Sequence, residues 1–572
     1  MDPGTDVDHV LQSLGSLGKY QKIQLSFLFI FMLENAFHLI AANYVSYRPD
    51  YHCKKINQTE FLNNQPSIPT NISYLNVTYG KCQIDINVNS TGAKHHYTKK
   101  CENGYEYAIP TDRSTVTEWD LVCDGAARSE FAQTLIMMGQ AVGAAIFSPL
   151  SDRFGRKPIN IIARTLYMIA GVTAMFSPSI AVFSVYRLLI GTFQGGSVMT
   201  GTTMCVELLP IEFRHRGEGL AFFAWTTGIV LTSVIGYICK ELPWRYFQMI
   251  LGLLSWHVII DWLFFDESLR WLVANGKTDQ AMKIIKKAAR WNNKSYDSVM
   301  DSIKKKQPLM SLEINIKPPE KHEMNGIKDA HESNVTPAKE TKVQKYSVLT
   351  ILKHKRILVM SIMLWFTWIT NTLTYYGLML MTSQLAGDRY VNNILAALAE
   401  FPAIIIQQII INRIGRRYVL ALYHGLAGIT LVLATICSIY SNNYVWLQPL
   451  STFFSILGRF AAIGSFSSVF LYTPELYPTN LRNVGLGMAS TVSRIGSMIS
   501  PFAATLAEHV SWGPAAIFVV MNMIVVVILL TLPETMGREL PTTVEEMKSW
   551  FKGRKGLFDV RWPKSYRQQS SR

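Results

Sequence analysis

The segment DRFGRK at Asp152–Lys157 is repeated as NRIGRR at Asn412–Arg417, 260 residues further along the chain (412 against 152). Each copy joins two long apolar segments through three basic residues and one glycine. Glycine permits a tight turn that other residues adopt only with strain. The repeat therefore predicts two similar halves, each with a sharp basic turn between two of its apolar segments.

Two further segments recur at nearly the same offset. Glu207–Gly217 begins with ELLP and returns as Glu475–Gly485, which begins with ELYP, 268 residues later (475 against 207). Asp266–Ser268 returns as Pro533–Thr535, 267 residues later (533 against 266). A pair of similar helical halves is typical of transporters that alternate access around a site between the halves.

The composition indicates a membrane protein. Of the 572 residues, 49% are apolar and 17% are charged, whereas soluble proteins carry about a quarter charged residues. Apolar stretches of about 18 residues or more meet the criterion for a membrane span, and we count about twelve. Because backbone polar groups in lipid must be satisfied within the segment, we predict helices. The clearest spans are Ile23–Tyr44, Ile159–Pro178, Tyr246–Phe265, Val419–Tyr440 and Ala515–Leu532.

The basic residues predict the topology. The net charge of +15 comes from Lys and Arg in loops between the spans, as the positive-inside rule requires, and gives no reason to expect nucleic acid as a partner. The basic segments Lys304–Arg356 and Lys548–Arg572 are predicted to be cytoplasmic. The polar Met1–Lys22 precedes a span without a small-residue cleavage site, which predicts a signal anchor. We expect a multi-pass plasma-membrane protein with both termini in the cytoplasm.

The polar segment after the first span is predicted to be an oxidised extracellular loop, because cysteines and glycosylation acceptors cluster there. It contains four of the seven cysteines, and we expect up to two disulfides of open connectivity among Cys53, Cys82, Cys101 and Cys123. Its Asn-x-Ser/Thr acceptors are Asn57, Asn71, Asn76 and Asn89.

The spans and loops divide the chain into five parts. The predicted parts are an N-terminus at 1–22, a six-helix half at 23–265 that includes the extracellular loop 45–128, a cytoplasmic loop at 266–355, a second six-helix half at 356–533 and a tail at 534–572. Within the cytoplasmic loop we predict a helix over Thr278–Trp291.

The repeated charges are predicted to form a cytoplasmic gate. Their carboxylates and arginines have the chemistry to bridge the two halves and to lock the cytoplasmic end in the outward-open state. The alternative is that the charges only set the topology. The predicted gate residues are Asp152, Arg153, Arg156, Glu207, Arg214, Arg413, Arg416, Glu475 and Arg482.

The repeated motifs resemble those of the major facilitator superfamily. Within it, TEWDLVC at Thr117–Cys123, ESLRWL at Glu267–Leu272, Glu475–Arg482 and PET at Pro533–Thr535 resemble the organic cation, organic anion and carnitine transporters of solute carrier family 22. The resemblance covers nearly the whole chain. It implies an all-α fold with 12 transmembrane helices in two pseudo-symmetric halves, a large glycosylated first extracellular loop, and secondary transport of a small organic ion.

Ionisable residues within the spans are costly to bury and are therefore candidates for substrate contact. Arg187 and Asp261 lie near span ends, where a structural role is an alternative. His38 lies one helical turn from Glu34, so the two are expected to share a face, either as a structural pair or in contact with a substrate or a proton. The full set is Glu34, His38, Arg187, Asp261, Glu400, Arg459 and Arg494.

Aromatic residues of the seventh span form a second set of candidates. Trp368 and Tyr375 are seven residues apart and share a helix face, and such rings attract a desolvated amine. The alternative is packing or an interfacial belt. The resemblance implies that Trp368, Tyr375 and Phe466 line the substrate cavity, and we include the neighbouring Tyr376.

The charges leave the sign of the substrate open. Glu400 favours a cation and matches the cation transporters, whereas Arg494 suits a carboxylate or sulfate. Cation transporters of the resembled family have Asp at the position of Arg494, and carnitine and anion transporters have Arg; Val198 also stands where cation carriers place an aromatic residue. We therefore predict an organic cation or zwitterion such as carnitine, with an organic anion transporter or exchanger as the alternative and a sugar facilitator as a distant one.

Other classes of protein find little support. Gly276–Thr278 resembles the end of a phosphate loop, but Trp271 occupies the position of a required glycine, so no nucleotide is expected. No hydrolase or metalloprotease motif is present, which argues against an enzyme, and we expect no cofactor and no metal. The partners are then the organic ion and the bilayer, and a monomer suffices. Uniport, exchange and coupling to sodium or protons all remain open.

Overall fold

A computed structural model describes residues 7–55, 72–90, 93–301, 348–441, 443–478, 481–536 and 541. The helices of the first half are α1 (Val7–Ser13), α2 (Lys19–Glu34), α3 (Phe37–Ile40), α4 (Ala42–Val45), α5 (Thr115–Glu118), α6 (Ala126–Phe154), α7 (Arg156–Thr173), α8 (Ile180–Leu208), α9 (Arg214–Ile238), α10 (Trp244–Leu253) and α11 (Val258–Phe264). Those that follow are α12 (Leu269–Ala274), α13 (Thr278–Trp291), α14 (Val348–Lys353), α15 (Lys355–Met381), α16 (Arg389–Ile414), α17 (Arg416–Tyr440), α18 (Leu447–Leu476), α19 (Arg482–Ile499), α20 (Phe502–His509) and α21 (Gly513–Thr531). The predicted helix over Thr278–Trp291 is thus confirmed as α13.

Ten helical stretches of the described chain are long and apolar enough to cross a membrane. Two further helices, α8 and α19, contain Arg187 and Arg494 together with many Gly, Ser and Thr residues, which lower their hydropathy. They nevertheless pack within the bundle, α8 along α6 and α19 along α15. Counting them, the described residues contain six spans in each half, as predicted.

The turns at the two copies of the first repeat have the same geometry. Gly155 has φ = 114° and Gly415 has φ = 112°, so both occupy the positive-φ region that favours glycine. A Cβ atom at either glycine would collide with a carboxylate, that of Glu267 or that of Glu534. The predicted tight turn is confirmed in both halves.

The same two carboxylates cap the helices that follow the turns. Glu267 accepts hydrogen bonds from the backbone N–H groups of Arg156 (3.1 Å) and Lys157 (3.2 Å) at the start of α7. Glu534 accepts them from Arg416 (2.9 Å) and Arg417 (3.1 Å) at the start of α17. Free N–H groups at a helix start need such acceptors. The glutamate of the third repeat therefore fixes the start of the helix that follows the first repeat, α7 in the first half and α17 in the second.

Replacing Glu534 with alanine is expected to lower the stability of the second half by about 1–2 kcal/mol, because the first N–H groups of α17 lose their acceptor. Thermal unfolding of the purified protein should show a fall in Tm of about 2–4 °C. Glu241→Ala, which removes a carboxylate that is 78% exposed, serves as the control. An equal effect of both substitutions would contradict the capping role.

Close backbone approach between α6 and α8 depends on glycine. A Cβ atom at Gly143 would overlap the carbonyl oxygen of Thr192, and one at Gly191 would overlap that of Ile136. Small residues spaced by one turn are typical of such contacts between membrane helices, where dispersion rather than hydrophobic burial drives association. The pair of helices thereby forms a rigid unit in the first half.

The segment between the first two spans contains the strands of the described chain. β1 (Tyr51–Cys53) pairs antiparallel with β5 (Tyr105–Tyr107), and a second antiparallel sheet has the order β2 (Ile72–Tyr79), β3 (Gln83–Ser90), β4 (Ala93–Lys100). Disulfides join Cys53 to Cys101 and Cys82 to Cys123, which confirms two bridges and gives their connectivity. Of the predicted glycosylation acceptors, Asn76 lies exposed on β2, Asn89 belongs to β3, and Asn57 and Asn71 lie outside the described residues. We call this end of the bundle the cysteine end and the end with Gly155 and Gly415 the motif end.

Candidate substrate site between the halves

The two halves meet where α9 packs along α16 and α6 along α19. At the first contact, Trp225 Nε1 donates a hydrogen bond to the hydroxyl of Tyr375 (2.8 Å), and Thr226 Oγ1 donates one to Glu400 (3.0 Å). At the second, Arg494 Nη1 donates one to Gln140 Oε1 (2.7 Å). Three of the predicted substrate residues therefore lie on the interface between the halves.

The predicted aromatic residues form one continuous wall. The ring centroids of Tyr375 lie 5.3 Å from Tyr376 and 5.7 Å from Phe466. Phe470, which the sequence analysis missed, lies 5.5 Å from Phe466 and 4.6 Å from Trp368 and joins the ends of the wall. Its position one helical turn from Phe466 is the signal that predicts it. The structure thus brings the four predicted rings together on α15 and α18.

Glu400 is already neutralised by an arginine of its own half. Its Oε1 accepts a hydrogen bond from Arg459 Nε at 2.8 Å, and both side chains are almost fully buried (0% and 1% exposed). The hydroxyl of Tyr375 also donates to this carboxylate (3.2 Å). A buried carboxylate with this many partners has no free charge to offer a cation. The geometry removes the main argument from sequence for a positively charged substrate.

Arg494 is in a different situation. It is half-buried, its hydrogen-bond partner is the neutral amide of Gln140, and no carboxylate pairs with it among the residues that the structure describes. Gln140 in turn donates to Gln194 (3.0 Å), which donates to the backbone carbonyl of Asn35. Of the two charges predicted for the site, Glu400 is compensated by Arg459, and the positive charge of Arg494 is left without an opposite partner among the described residues.

The predicted gate charges pair within their own halves. Arg156 contacts Asp152 (2.8 Å) and Glu207 (3.3 Å), and Arg416 contacts Glu475 (3.3 Å). Of the others, Arg482 Nε donates to the Pro474 carbonyl (2.9 Å), Arg153 and Arg413 are exposed, and the side chain of Arg214 lies outside the description. Burial raises the pKa of the nearby Glu267 carboxyl, and the hydrogen bonds that this carboxyl accepts from backbone N–H groups oppose the rise.

Charged contacts between the halves occur instead at the cysteine end. Arg48 of the first half lies 3.2 Å from Glu130 and also pairs with Glu508 of the second half. Beneath them, the rings of Tyr44 and Tyr390 stack across the interface at 5.3 Å. Within the described residues no ion pair joins the halves at the motif end. The protein is therefore closed at the cysteine end, and the gate residues remain a prediction for the opposite state.

Other ionisable residues of the first half have structural partners. Arg187 Nη1 donates to the carbonyl of His38 (2.7 Å). Of the alternatives for Glu34 and His38, the structural pair does not form, and His38 Nδ1 instead lies 3.0 Å from Gln248 Nε2. Glu34 and Asp261 instead pair with Arg164, at 2.9 Å for Glu34. Arg164 was missing from the predicted set although it lies inside the predicted span Ile159–Pro178, and an ionisable residue within a span is the signal that identifies it.

Residues 86–547 match the model of the sugar (and other) transporter family. The chain belongs to this family. Its relatives are members of solute carrier family 22, as the sequence motifs indicated, and the family and fold are those of transporters and not of enzymes.

Three curated relatives extend over nearly the whole chain. Solute carrier family 22 member 6-A of Xenopus laevis is 28% identical and covers 96% of this chain and 94% of its own length. Organic anion transporter 3 of Mus musculus is 28% identical over 95% and 94%. The organic cation transporter protein of Drosophila melanogaster is 28% identical over 95% of both chains. These relatives support organic ion transport as the general activity.

Solved structures show the same fold. The partially occluded inward-open xylose transporter XylE from E. coli superimposes with a TM-score of 0.55 at 17% identity and covers 73% of this chain and 90% of that one. At this identity the likeness establishes the fold, which is that of the major facilitator superfamily, and carries no information on the substrate. The predicted all-α fold class is confirmed.

Reversing the charge of Asp152 is expected to slow transport about fivefold without loss of surface protein, because the gate-closed state loses an attraction of about 1 kcal/mol. Initial uptake rates normalised to surface biotinylation measure the effect of Asp152→Lys. The control is Asp112→Lys at the cysteine end, where the carboxylate is 57% exposed. Unchanged uptake by Asp152→Lys would favour the alternative that these charges only set the topology.

Proposed function

We propose that this protein is a plasma-membrane transporter of small organic anions that works by alternating access, with the motif end and both termini in the cytoplasm. In this orientation the described conformation is closed to the outside. Substrate reaches the interface between the halves, where Arg494 and the aromatic wall replace the water around it. This reverses the order of preference from the sequence, where the anion was the alternative to a cation or zwitterion.

The observation that carries the proposal is the charge balance of the site. Glu400 and Arg459 neutralise each other at 2.8 Å, whereas Arg494 contacts only an amide among the described residues. An uncompensated guanidinium in a region of low dielectric attracts a carboxylate strongly and can bind it bidentately. The net positive site therefore favours an anion, the substrate class for which one relative, organic anion transporter 3 of Mus musculus, is named.

The aromatic wall restricts the anion to a particular class. Trp368, Phe470, Phe466 and Tyr375 form a continuous row of ring contacts beside the interface, in which Phe466 and Phe470 are partly exposed. Stacking and edge-to-face contacts with such rings favour a planar apolar body over a small inorganic anion. A carboxylate attached to an aromatic or other apolar body suits both features, and we propose that this is the substrate class.

Uptake of labelled para-aminohippurate, tetraethylammonium, carnitine and glucose into expressing cells tests the proposal, with vector-transfected cells as the blank. We expect saturable uptake of para-aminohippurate, an aromatic carboxylate, and uptake at blank level for the other three. Uptake of tetraethylammonium without para-aminohippurate would restore the cation as the substrate. Uptake of glucose alone would move the protein to the sugar carriers.

A further inference from the structure

Four ionisable side chains meet inside the first half, away from the proposed substrate site. Arg164 of α7 lies 2.9 Å from Glu34 at the end of α2 and also pairs with Asp261 of α11. His257, just before α11, brings its Nε2 to 2.6 Å from Arg164 Nη2. We call these four residues the Arg164 cluster. Glu34, Arg164 and Asp261 are 2–3% exposed, and His257 is 14% exposed.

The cluster has one negative charge too many when His257 is neutral. Two carboxylates face one guanidinium. Tyr167 donates its hydroxyl to the Glu34 carbonyl (3.1 Å), and Phe31 presents its ring to Arg164. The neighbouring buried cation Arg187 acts on Tyr167 and donates to the His38 carbonyl (2.7 Å) and to Gln133, and among the described residues it pairs with neither carboxylate of the cluster. An uncompensated charge in a membrane span is costly. The cluster therefore has a strong tendency to take up one positive charge.

The positions of the hydrogen-bonding atoms identify that charge as a proton. His257 Nδ1 donates to the carbonyl of Leu254 (3.2 Å), so its Nε2 faces Arg164 as an acceptor, which is the neutral form. Glu34 Oε2 and Asp261 Oδ1 are buried without a hydrogen-bond partner. Glu34 Oε2 lies 3.6 Å from Nε2 and Asp261 Oδ2 lies 3.9 Å from it. A proton on Nε2 balances the charge and gives the unpartnered oxygens a donor after a small rotation.

The cluster is connected to the substrate site through the broken first span. Glu34 ends α2, and the carbonyl of the next residue, Asn35, accepts from Gln194. Gln194 bonds to Gln140, and Gln140 bonds to Arg494. A change of charge at the break thus acts on a helix whose far end contacts the second half through Asn43 and Asn393 (3.0 Å). The Arg164 cluster and the substrate site therefore both act on the first span, and energetic coupling between two sites requires such a shared element.

We propose that the Arg164 cluster is a proton-binding site and that one proton enters with each organic anion. His257 takes a proton from water when the protein is open to the outside and releases it to water on the cytoplasmic side. The anion then crosses without net charge, so the negative interior of the cell no longer opposes its entry. This coupling rests on the proposed anion substrate, whereas the binding of a proton by the cluster does not.

The test measures uptake of para-aminohippurate, which is ionised throughout, between about pH 7.5 and about pH 5.5. We expect uptake to rise about tenfold on acidification, because the proton is a co-substrate of the proposed transport. Asp261→Asn and Glu34→Gln each leave Arg164 with one carboxylate and should flatten the profile. His257→Gln removes the acceptor at the most exposed of the four positions and should do the same. Asp279→Asn, at an exposed residue of α13, should retain the profile of the unmodified protein.

A second measurement uses the purified protein in liposomes that contain a pH-sensitive dye. Adding para-aminohippurate outside should acidify the interior with the unmodified protein and leave it unchanged with His257→Gln. Absence of para-aminohippurate uptake at every pH would reject the proposed function. Uptake that is independent of pH, without acidification, would reject the proton site alone. A pH-dependence that all three cluster variants retain would also overturn the assignment.

Discussion

Replacing Arg494 with aspartate is expected to reduce uptake of para-aminohippurate about a hundredfold. Arg494 is the one charge of the predicted site without an opposite partner among the described residues, and a hydrogen bond to a charged group contributes about 1.5–3 kcal/mol. Loss of that bond alone corresponds to about 10- to 100-fold in affinity. The new carboxylate adds repulsion of the substrate, so we place the effect at the upper end. Initial uptake rates over a range of concentrations, normalised to surface protein, measure it.

Two matched variants distinguish charge from geometry. Arg494→Lys keeps the positive charge but loses the planar fork, so we expect partial uptake with a raised KM. Arg356→Ala removes an exposed arginine outside the predicted gate and site and should leave the affinity for the anion unchanged. If Arg494→Asp transports para-aminohippurate as well as the original protein does, Arg494 is structural and the charge argument for an anion is lost. A gain of tetraethylammonium uptake by Arg494→Asp would show that position 494 sets the sign of the charge on the transported substrate.

Most of the fold could be predicted from the two-fold repeat, because a turn motif constrains the chain locally and can be recognised without knowledge of tertiary contacts. Gly155 and Gly415 illustrate this, since their positive φ angles follow from the motif itself. The capping roles of Glu267 and Glu534 were visible as a repeat but not as an interaction. Each carboxylate lies more than 100 residues along the sequence from the N–H groups that it caps. Residues so far apart in the sequence come into contact only when the half has folded.

The charge balance of the site was harder to predict for the same reason. Glu400 and Arg459 were both recognised as costly residues in spans, yet nothing in the sequence paired them across 59 positions. Considered alone, Glu400 indicated a cationic substrate. Because Arg459 neutralises it, Glu400 gives no reason to expect a cation. Phe470 completes the aromatic wall but was overlooked because aromatic residues are common in membrane helices. Residue type identified the candidates, and only the partner of each residue decided its role.

Replacing Arg459 with alanine is expected to be the most destabilising single change in the second half. It leaves the fully buried Glu400 with hydroxyl partners alone, and removal of one partner from a buried ion pair costs about 3–5 kcal/mol. Since membrane and soluble domains alike have limited reserves of stability, on the order of 5–15 kcal/mol, we expect little surface protein and a markedly lower Tm in detergent. Arg356→Ala, which removes an exposed arginine near the start of α15, should behave like the original protein.

The double variant Glu400→Gln with Arg459→Met separates a structural role of the pair from a role in binding. It removes both charges and retains similar volume, a change that is often nearly neutral for a buried pair. We therefore expect surface protein and Tm to recover most of the loss seen with Arg459→Ala. If the recovered protein still takes up para-aminohippurate, the pair only holds α16 against α18 and Arg494 alone attracts the anion. If it reaches the surface but has lost uptake, Arg459 contacts the substrate directly, and the net charge of the site must be assigned to two arginines facing one carboxylate.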